Sequence, residues 1–193
     1  MDRLSALDAE FLHLEDGTTH MHIAGMCVFE GEPPSEQQVV DLVASKLHRI
    51  PRYRQRVRRV PLELGRPVWV DDPHFRLEYH VRSTALPAPV EDEAVCRLMG
   101  RLMSAELDRS RPLWEVWIVH GLPANRWALV CKVHHCMVDG IAGVGLLEAL
   151  LDLDPDAPVA APEPWSPAPE PSGVGLVLDA WSGAIGDAAA QVA

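Results

Sequence analysis

Apolar residues fall along this chain in two alternating rhythms, one of period two and one of period three to four. Leu113–Val119 and Trp127–Val133 are almost unbroken apolar runs, which marks strands buried on both faces. The connection between them, Gly121-Leu122-Pro123-Ala124-Asn125, is short enough to predict an antiparallel hairpin. Residues 20–30 alternate, with Met21, Ile23, Cys27 and Phe29 on one side, and predict a third strand. Val68–Val70 and Phe75–Val81 read as further short strands.

Helical spacing occurs between these runs. Ser5 with Asp8 three residues on is a capping signal for a short helix through Phe11 and Leu12. Ser35 with Gln38 opens a helix whose apolar face is Val39, Val43, Leu47 and Ile50, and Pro51 stops it. Glu91, Asp92 and Glu93 suit the positive end of a helix that buries Val95, Leu98, Leu102 and Ala105. Another helix is expected from about Ile141 to Leu151. Strands mixed with helices predict an α/β domain over residues 1–152.

From Leu153 to Ser172 the composition changes. Seven prolines (155, 158, 162, 164, 167, 169 and 171) predict an extended linker of polyproline character. Residues 173–193 carry a weak helical pattern, expected to be cut by Gly183 and Gly186. A linker followed by only this segment suggests the N-terminal part of something larger, with 173–193 starting toward a further domain.

Charge narrows the classes of partner. A net charge of −11 argues against general nucleic-acid binding. Yet Lys46, Arg49, Arg52, Arg54, Arg56, Arg58 and Arg59 stand together with no acid between them. That run is either a solvated edge or a patch for an anionic ligand or lipid surface. The N-terminus lacks the apolar core of a signal peptide and no apolar run reaches membrane-span length, so a cytoplasmic protein is expected. Cys27, Cys96, Cys131 and Cys136 show no CxxC spacing and read as free thiols.

The chemistry concentrates where the second strong strand ends, in His134-His135-Cys136-Met137-Val138-Asp139-Gly140. Neighbours on a strand point to opposite faces, so His135 goes with Val133, Cys131 and Leu129, and His134 with Lys132 and Val130. If the strand persists that far, the two rings cannot do the same job. Asp139 can fold back to a histidine or a distant arginine. Gly140, Ala142, Gly143 and Gly145 let the next helix begin close by, with free N–H groups suited to an oxyanion or phosphate. No GxSxG elbow is present, so an acyl-enzyme is not indicated. A histidine acting alone as general base on an alcohol, with a bound acyl donor, needs only this constellation. Diverging neighbours converge poorly on one ion, so no metal is expected.

The septet matches the HHxxxDG motif of acyltransferases with the chloramphenicol acetyltransferase-like fold, a superfamily that includes nonribosomal peptide condensation domains. Leu107-Asp108-Arg109-Ser110-Arg111-Pro112-Leu113-Trp114-Glu115 resembles the LDxxRPLWE segment of bacterial wax ester synthase/diacylglycerol acyltransferases. Leu4-Ser5-Ala6-Leu7-Asp8-Ala9-Glu10-Phe11-Leu12 resembles their LSxLDxxFL opening, and Trp69–Pro73, Phe75 and His80-Val81 are also similar. The resemblance covers about residues 4–151.

It implies a mixed sheet flanked by helices, forming the N-terminal half of a two-domain enzyme. It implies His135 as general base, His134 as its support, Asp139 as a structural residue and Gly140 as the turn. Pro112, Leu113, Trp114, Glu115 and Gly143 would shape the substrate site. The substrates would be an acyl-CoA and a diacylglycerol or long-chain alcohol, with no separate cofactor, and the products triacylglycerol or wax esters. The C-terminal half of the same enzyme would complete the tunnel, and its Asn-Asp motif is not found in these residues, so residues 1–193 alone are expected to be nearly inactive. Peripheral contact with the inner membrane or lipid droplets follows from the lipid substrates. Two alternatives stand beside this reading: a condensation-type enzyme using a carrier-protein thioester, and a non-catalytic lipid-binding module.

Overall fold

The computed structural model describes residues 1–88, 92–138, 150–152 and 157–190. The central element is a four-stranded sheet in the order β1-β6-β5-β4, formed by β1 (His22–Glu30), β4 (Val81–Ala85), β5 (Trp114–Leu122) and β6 (Arg126–His134). Strands β5 and β6 form the expected antiparallel hairpin. Strand β1 runs antiparallel to β6 on its other side, and β4 runs parallel to β5. The hairpin turn is tighter than the sequence suggests, spanning only Pro123–Asn125, with Ala124 and Asn125 at positive φ.

Both faces of the sheet are covered, which is why β5 and β6 are mostly apolar. On one face lie α1 (Ala6–Leu14) and α2 (Glu36–Lys46). Leu12, Val39 and Val43 pack there on Val116, Ile118, Leu129, Cys131 and Val133. On the other face lies α4 (Asp92–Ser104), with Ala94 and Leu102 against Val119, Ala128 and Val130. Both capping signals are realised. Ser5 accepts from the Asp8 N–H, and Ser35 with Gln38 forms a reciprocal capping box. Helix α2 ends at Lys46, and two 3₁₀ turns, Leu47–Arg49 and Pro51–Arg54, carry the chain onward around Pro51.

Three expectations are corrected. Phe75–Val81 is not a strand: Leu77–His80 forms one helical turn, α3, and β4 begins only at Val81. The turn buries His80 between the rings of Phe75 and Trp114, a stack that a strand could not supply. Ala105 lies beyond α4 and is exposed; Ala94 takes the buried place instead. Helix α5 (Gly173–Ala190) runs through Gly183 and Gly186 without interruption. The helix expected at 141–151 lies outside the described residues except for Leu150 and Leu151; Leu150 is helical and buried.

A second, two-stranded ladder pairs β2 (Gln55–Arg58) with β3 (Val68–Asp71). Leu176 and Ala180 of α5 pack on Val60, Val68 and Val70 there. The proline-rich segment crosses this ladder. Its Trp165 sits under the Arg54 guanidinium and edge-on to Phe75, and the Ala168 N–H donates to Asp71 Oδ2 at 2.9 Å. Among the described residues no helix is long and apolar enough to cross a membrane.

Candidate active site

Strand β6 delivers His134 and His135 to the end of the sheet, between the first residues of β1 and β5. His134 is the cross-strand partner of His22, and its N–H donates to the Leu113 carbonyl at 2.9 Å. The chain then turns into a single 3₁₀ turn, His135–Met137. The His135 N–H donates to the Met21 carbonyl at 2.8 Å, and its own carbonyl accepts from Val138.

The two rings part, although β6 ends at His134 and His135 already belongs to the 3₁₀ turn, so the turn and not the strand period sets the direction of the His135 ring. The His135 ring turns to the α1 face, where it stacks on Phe11 with centroids 4.5 Å apart, and stays half-buried. The His134 ring is 0% exposed. Its Nδ1 accepts from the Cys136 N–H at 3.1 Å, which puts the proton of a neutral ring on Nε2. That Nε2 faces Glu15 Oε2 at 3.4 Å, off the line of a hydrogen bond. Burial holds the His134 pKa down at about 4, against the opposing charge of Glu15. At neutral pH His134 is therefore an uncharged ring locked in one tautomer.

The Glu15 carboxylate is itself enclosed, with only 4% of its side chain exposed. Oε1 accepts the Met21 N–H at 3.0 Å, and Oε2 accepts Nη2 and Nε of Arg109 at 2.6 and 3.0 Å. Burial alone raises a carboxyl pKa, but here the Arg109 and Met21 hydrogen bonds and the charge of Arg109 outweigh it and hold Glu15 below the ordinary value. Nothing in the hydrophobic pattern singles out Glu15 or Arg109 as partners, since they lie 94 residues apart. The available signal is their position, just after the LSxLDxxFL stretch and within LDxxRPLWE.

A second buried group supports the strand end. Lys132 is 0% exposed and donates to the Leu102 carbonyl at 2.7 Å and to the Ala105 carbonyl. His22 Nε2 bonds the Met103 carbonyl at 2.8 Å. The last carbonyls of α4 and the one just beyond it thus find partners on β1 and β6, close to the histidines. Burial lowers the pKa of Lys132, opposed by the charges of Glu115 and Glu15.

The other expected site residues have mixed placements. Leu113 and Trp114 are fully buried. Trp114 stacks on His80, meets Tyr53 edge-on and donates Nε1–H to the Tyr53 carbonyl at 2.8 Å. Pro112 is buried beside them. Glu115 points to the opposite face, where it accepts Trp117 Nε1–H at 2.9 Å and pairs with Arg82 at 3.4 Å. Of these four, Leu113 reaches the motif, through its carbonyl's bond to the His134 N–H. Asp139, Gly140 and Gly143 lie outside the described residues. Among the described residues, six of the seven cations of the basic run meet a partner within the chain, while Arg49 stands exposed. Lys46 is buried on Asp152, Arg52 meets Asp2 and the Trp69 ring, Arg54 covers Trp165, Arg56 and Arg58 share Glu170, and Arg59 meets Glu63.

Comparison with known proteins places this arrangement. The family model of the wax ester synthase/diacylglycerol acyltransferase catalytic domain matches residues 4–193. A probable diacylglycerol O-acyltransferase of Mycobacterium tuberculosis is 44% identical over 154 residues, covering 79% of this chain and 33% of that protein. A second from that organism is 40% identical over 181 residues, covering 92% of this chain and 66% of it. The solved wax ester synthase/diacylglycerol acyltransferase of Marinobacter aquaeolei superposes with a TM-score of 0.64 at 33% identity, over 80% of this chain and 39% of that one. A starter condensation domain of a rhizomide synthetase shares the fold alone, with a TM-score of 0.59 at 17% identity over 76% of this chain and 35% of that one. The chain spans about a third of the length of the first curated relatives it matches. With the three resembling segments meeting at one strand end and the family model matching nearly every residue, the chain belongs to the wax ester synthase/diacylglycerol acyltransferase catalytic-domain family.

Proposed function

We propose that this chain carries the base of an acyl-CoA-dependent O-acyltransferase that makes triacylglycerol or wax esters. The observation behind the assignment is the asymmetry of the two histidines: His134 is sealed, and His135 alone of the pair keeps some exposure. In this reading His135 removes the proton of a diacylglycerol or long-chain alcohol hydroxyl as its oxygen attacks the thioester carbonyl. The tetrahedral oxyanion collapses, the C–S bond breaks, and the leaving CoA thiolate takes the proton back from His135. No acyl-enzyme forms and no net proton is released. Asp139 keeps the structural role and Gly140 the turn that the family resemblance implies for them, and Gly143 counts among the substrate-site residues. Pro112, Leu113, Trp114 and Glu115 act on the site through the backbone that fixes His134. The C-terminal half of the same enzyme supplies the remaining substrate walls, and contact with membrane or lipid-droplet surfaces brings the acceptor.

The test compares donors, using the longest native polypeptide that carries these residues. Palmitoyl-CoA with diacylglycerol or hexadecanol should release CoA and yield the matching ester. Release only from an acyl carrier-protein thioester would replace this reading with the condensation-type one. Turnover with neither donor, in folded protein that still binds lipid, would leave the non-catalytic module.

A further inference from the structure

Helix α1 ends directly behind the two histidines, and its last turn touches both. Phe11 stacks on His135, and four residues later Glu15 faces His134. The Glu15 N–H donates to the Phe11 carbonyl, so the two contacts share one helical turn. The Met21 peptide ties the same carboxylate to the catalytic loop: its N–H donates to Glu15 Oε1 and its carbonyl accepts the His135 N–H. Arg109 closes the arrangement. It grips Oε2 through two nitrogens and donates to the Glu15 backbone carbonyl at 3.2 Å.

We propose that Glu15 and Arg109 are positioning residues, which hold His135 in place through His134, Phe11 and the Met21 peptide. Neither needs to meet the substrate. The carboxylate accepts the Met21 N–H and sets its negative charge 3.4 Å from the side of His134 that carries its proton, and the guanidinium keeps that carboxylate charged in a buried place. This rests on His135 being the base, since only then does the placement of that ring limit the rate. A base displaced by about 1 Å can cost on the order of 100-fold in rate.

Glu15→Gln is the sharpest variant, because it preserves shape and one acceptor while turning the other toward His134 and Arg109 as a donor. In the longest native polypeptide carrying residues 1–193, kcat with palmitoyl-CoA and hexadecanol should fall roughly 10- to 100-fold, with KM for either substrate changed less than about threefold. Wild-type kcat in Glu15→Gln overturns the proposal. Should that variant fail to fold, Arg109→Lys keeps the charge and loses the two-point grip. Its kcat should fall to an intermediate level, and an unchanged kcat overturns the proposal equally. Nitrogen-15 spectra of labelled histidine give a readout independent of turnover. The His134 signal, identified by its loss in His134→Asn, should show the proton on Nε2 in the wild type and should move in Glu15→Gln. A proton on Nδ1 in the wild type overturns the clasp. If instead His135→Ala keeps full turnover while the His134 signal behaves as expected, the assignment of the base fails and the clasp stands as a structural device.

Discussion

Two regions of this molecule use charge in opposite ways. At the end of the four-stranded sheet, the side chains of Glu15, Lys132 and His134 are enclosed, and the first two have their charges met by Arg109 or by backbone carbonyls. On the β2–β3 ladder, Arg56 and Arg58 meet Glu170 of the proline-rich segment at 2.8 and 3.1 Å near the surface. Buried charged groups are costly to desolvate and costly to leave without partners, so they fix geometry. Surface pairs are screened and contribute on the order of 0–1 kcal/mol. The contrast suggests that the histidine end has been built for position, and the ladder only for attachment.

The largest effect that separates the two regions is expected from pH. Burial pushes His134 and His80 down to about 4, the latter despite its Nδ1 contact with the Trp114 carbonyl. Free histidine titrates near 6.5, so between about pH 6.5 and 4 the unfolded chain takes up protons that the folded chain refuses. Stability is full above pH 6.5 and is lost as pH falls, by on the order of 3 kcal/mol per ring. Denaturant midpoints across this range should show the slope, and His80→Phe should reduce it; a flat profile in the wild type would mean that these rings are not held neutral.

At the small end of the scale, Glu170→Gln should cost about 1 kcal/mol or less, and less still in high salt. A loss of several kcal/mol in the same denaturation experiment would break the comparison, because it would make the ladder as dependent on its charges as the histidine end.

Much of this arrangement is legible in the order of residues alone. The apolar run of β6 leads the chain to the two histidines, and the Ser-x-x-Asp and Ser-x-x-Gln signals set the starts of α1 and α2. What escapes is contact between distant residues. Glu15 and Arg109 share no local pattern, and the pairing of the basic run with Glu170, Asp2 and Asp152 depends on how the chain folds back. Phe75–Val81 misleads for a related reason. Its aromatic and apolar residues favour a strand, but stacking His80 between Phe75 and Trp114 wins over that preference. In α5, packing of Leu176 and Ala180 on the ladder outweighs the roughly 1 kcal/mol that each interior glycine costs a helix.

The central claim is that the half-open ring of His135, and not the sealed ring of His134, takes the substrate proton. It is tested most directly by acceptor-dependent CoA release from palmitoyl-CoA in His135→Ala, measured beside the wild type in the longest native polypeptide that carries this chain. Loss of a general base typically removes about 100- to 10,000-fold of the rate, so turnover should fall at least 100-fold while the protein stays folded. Turnover in His135→Ala within a fewfold of the wild type would contradict the claim.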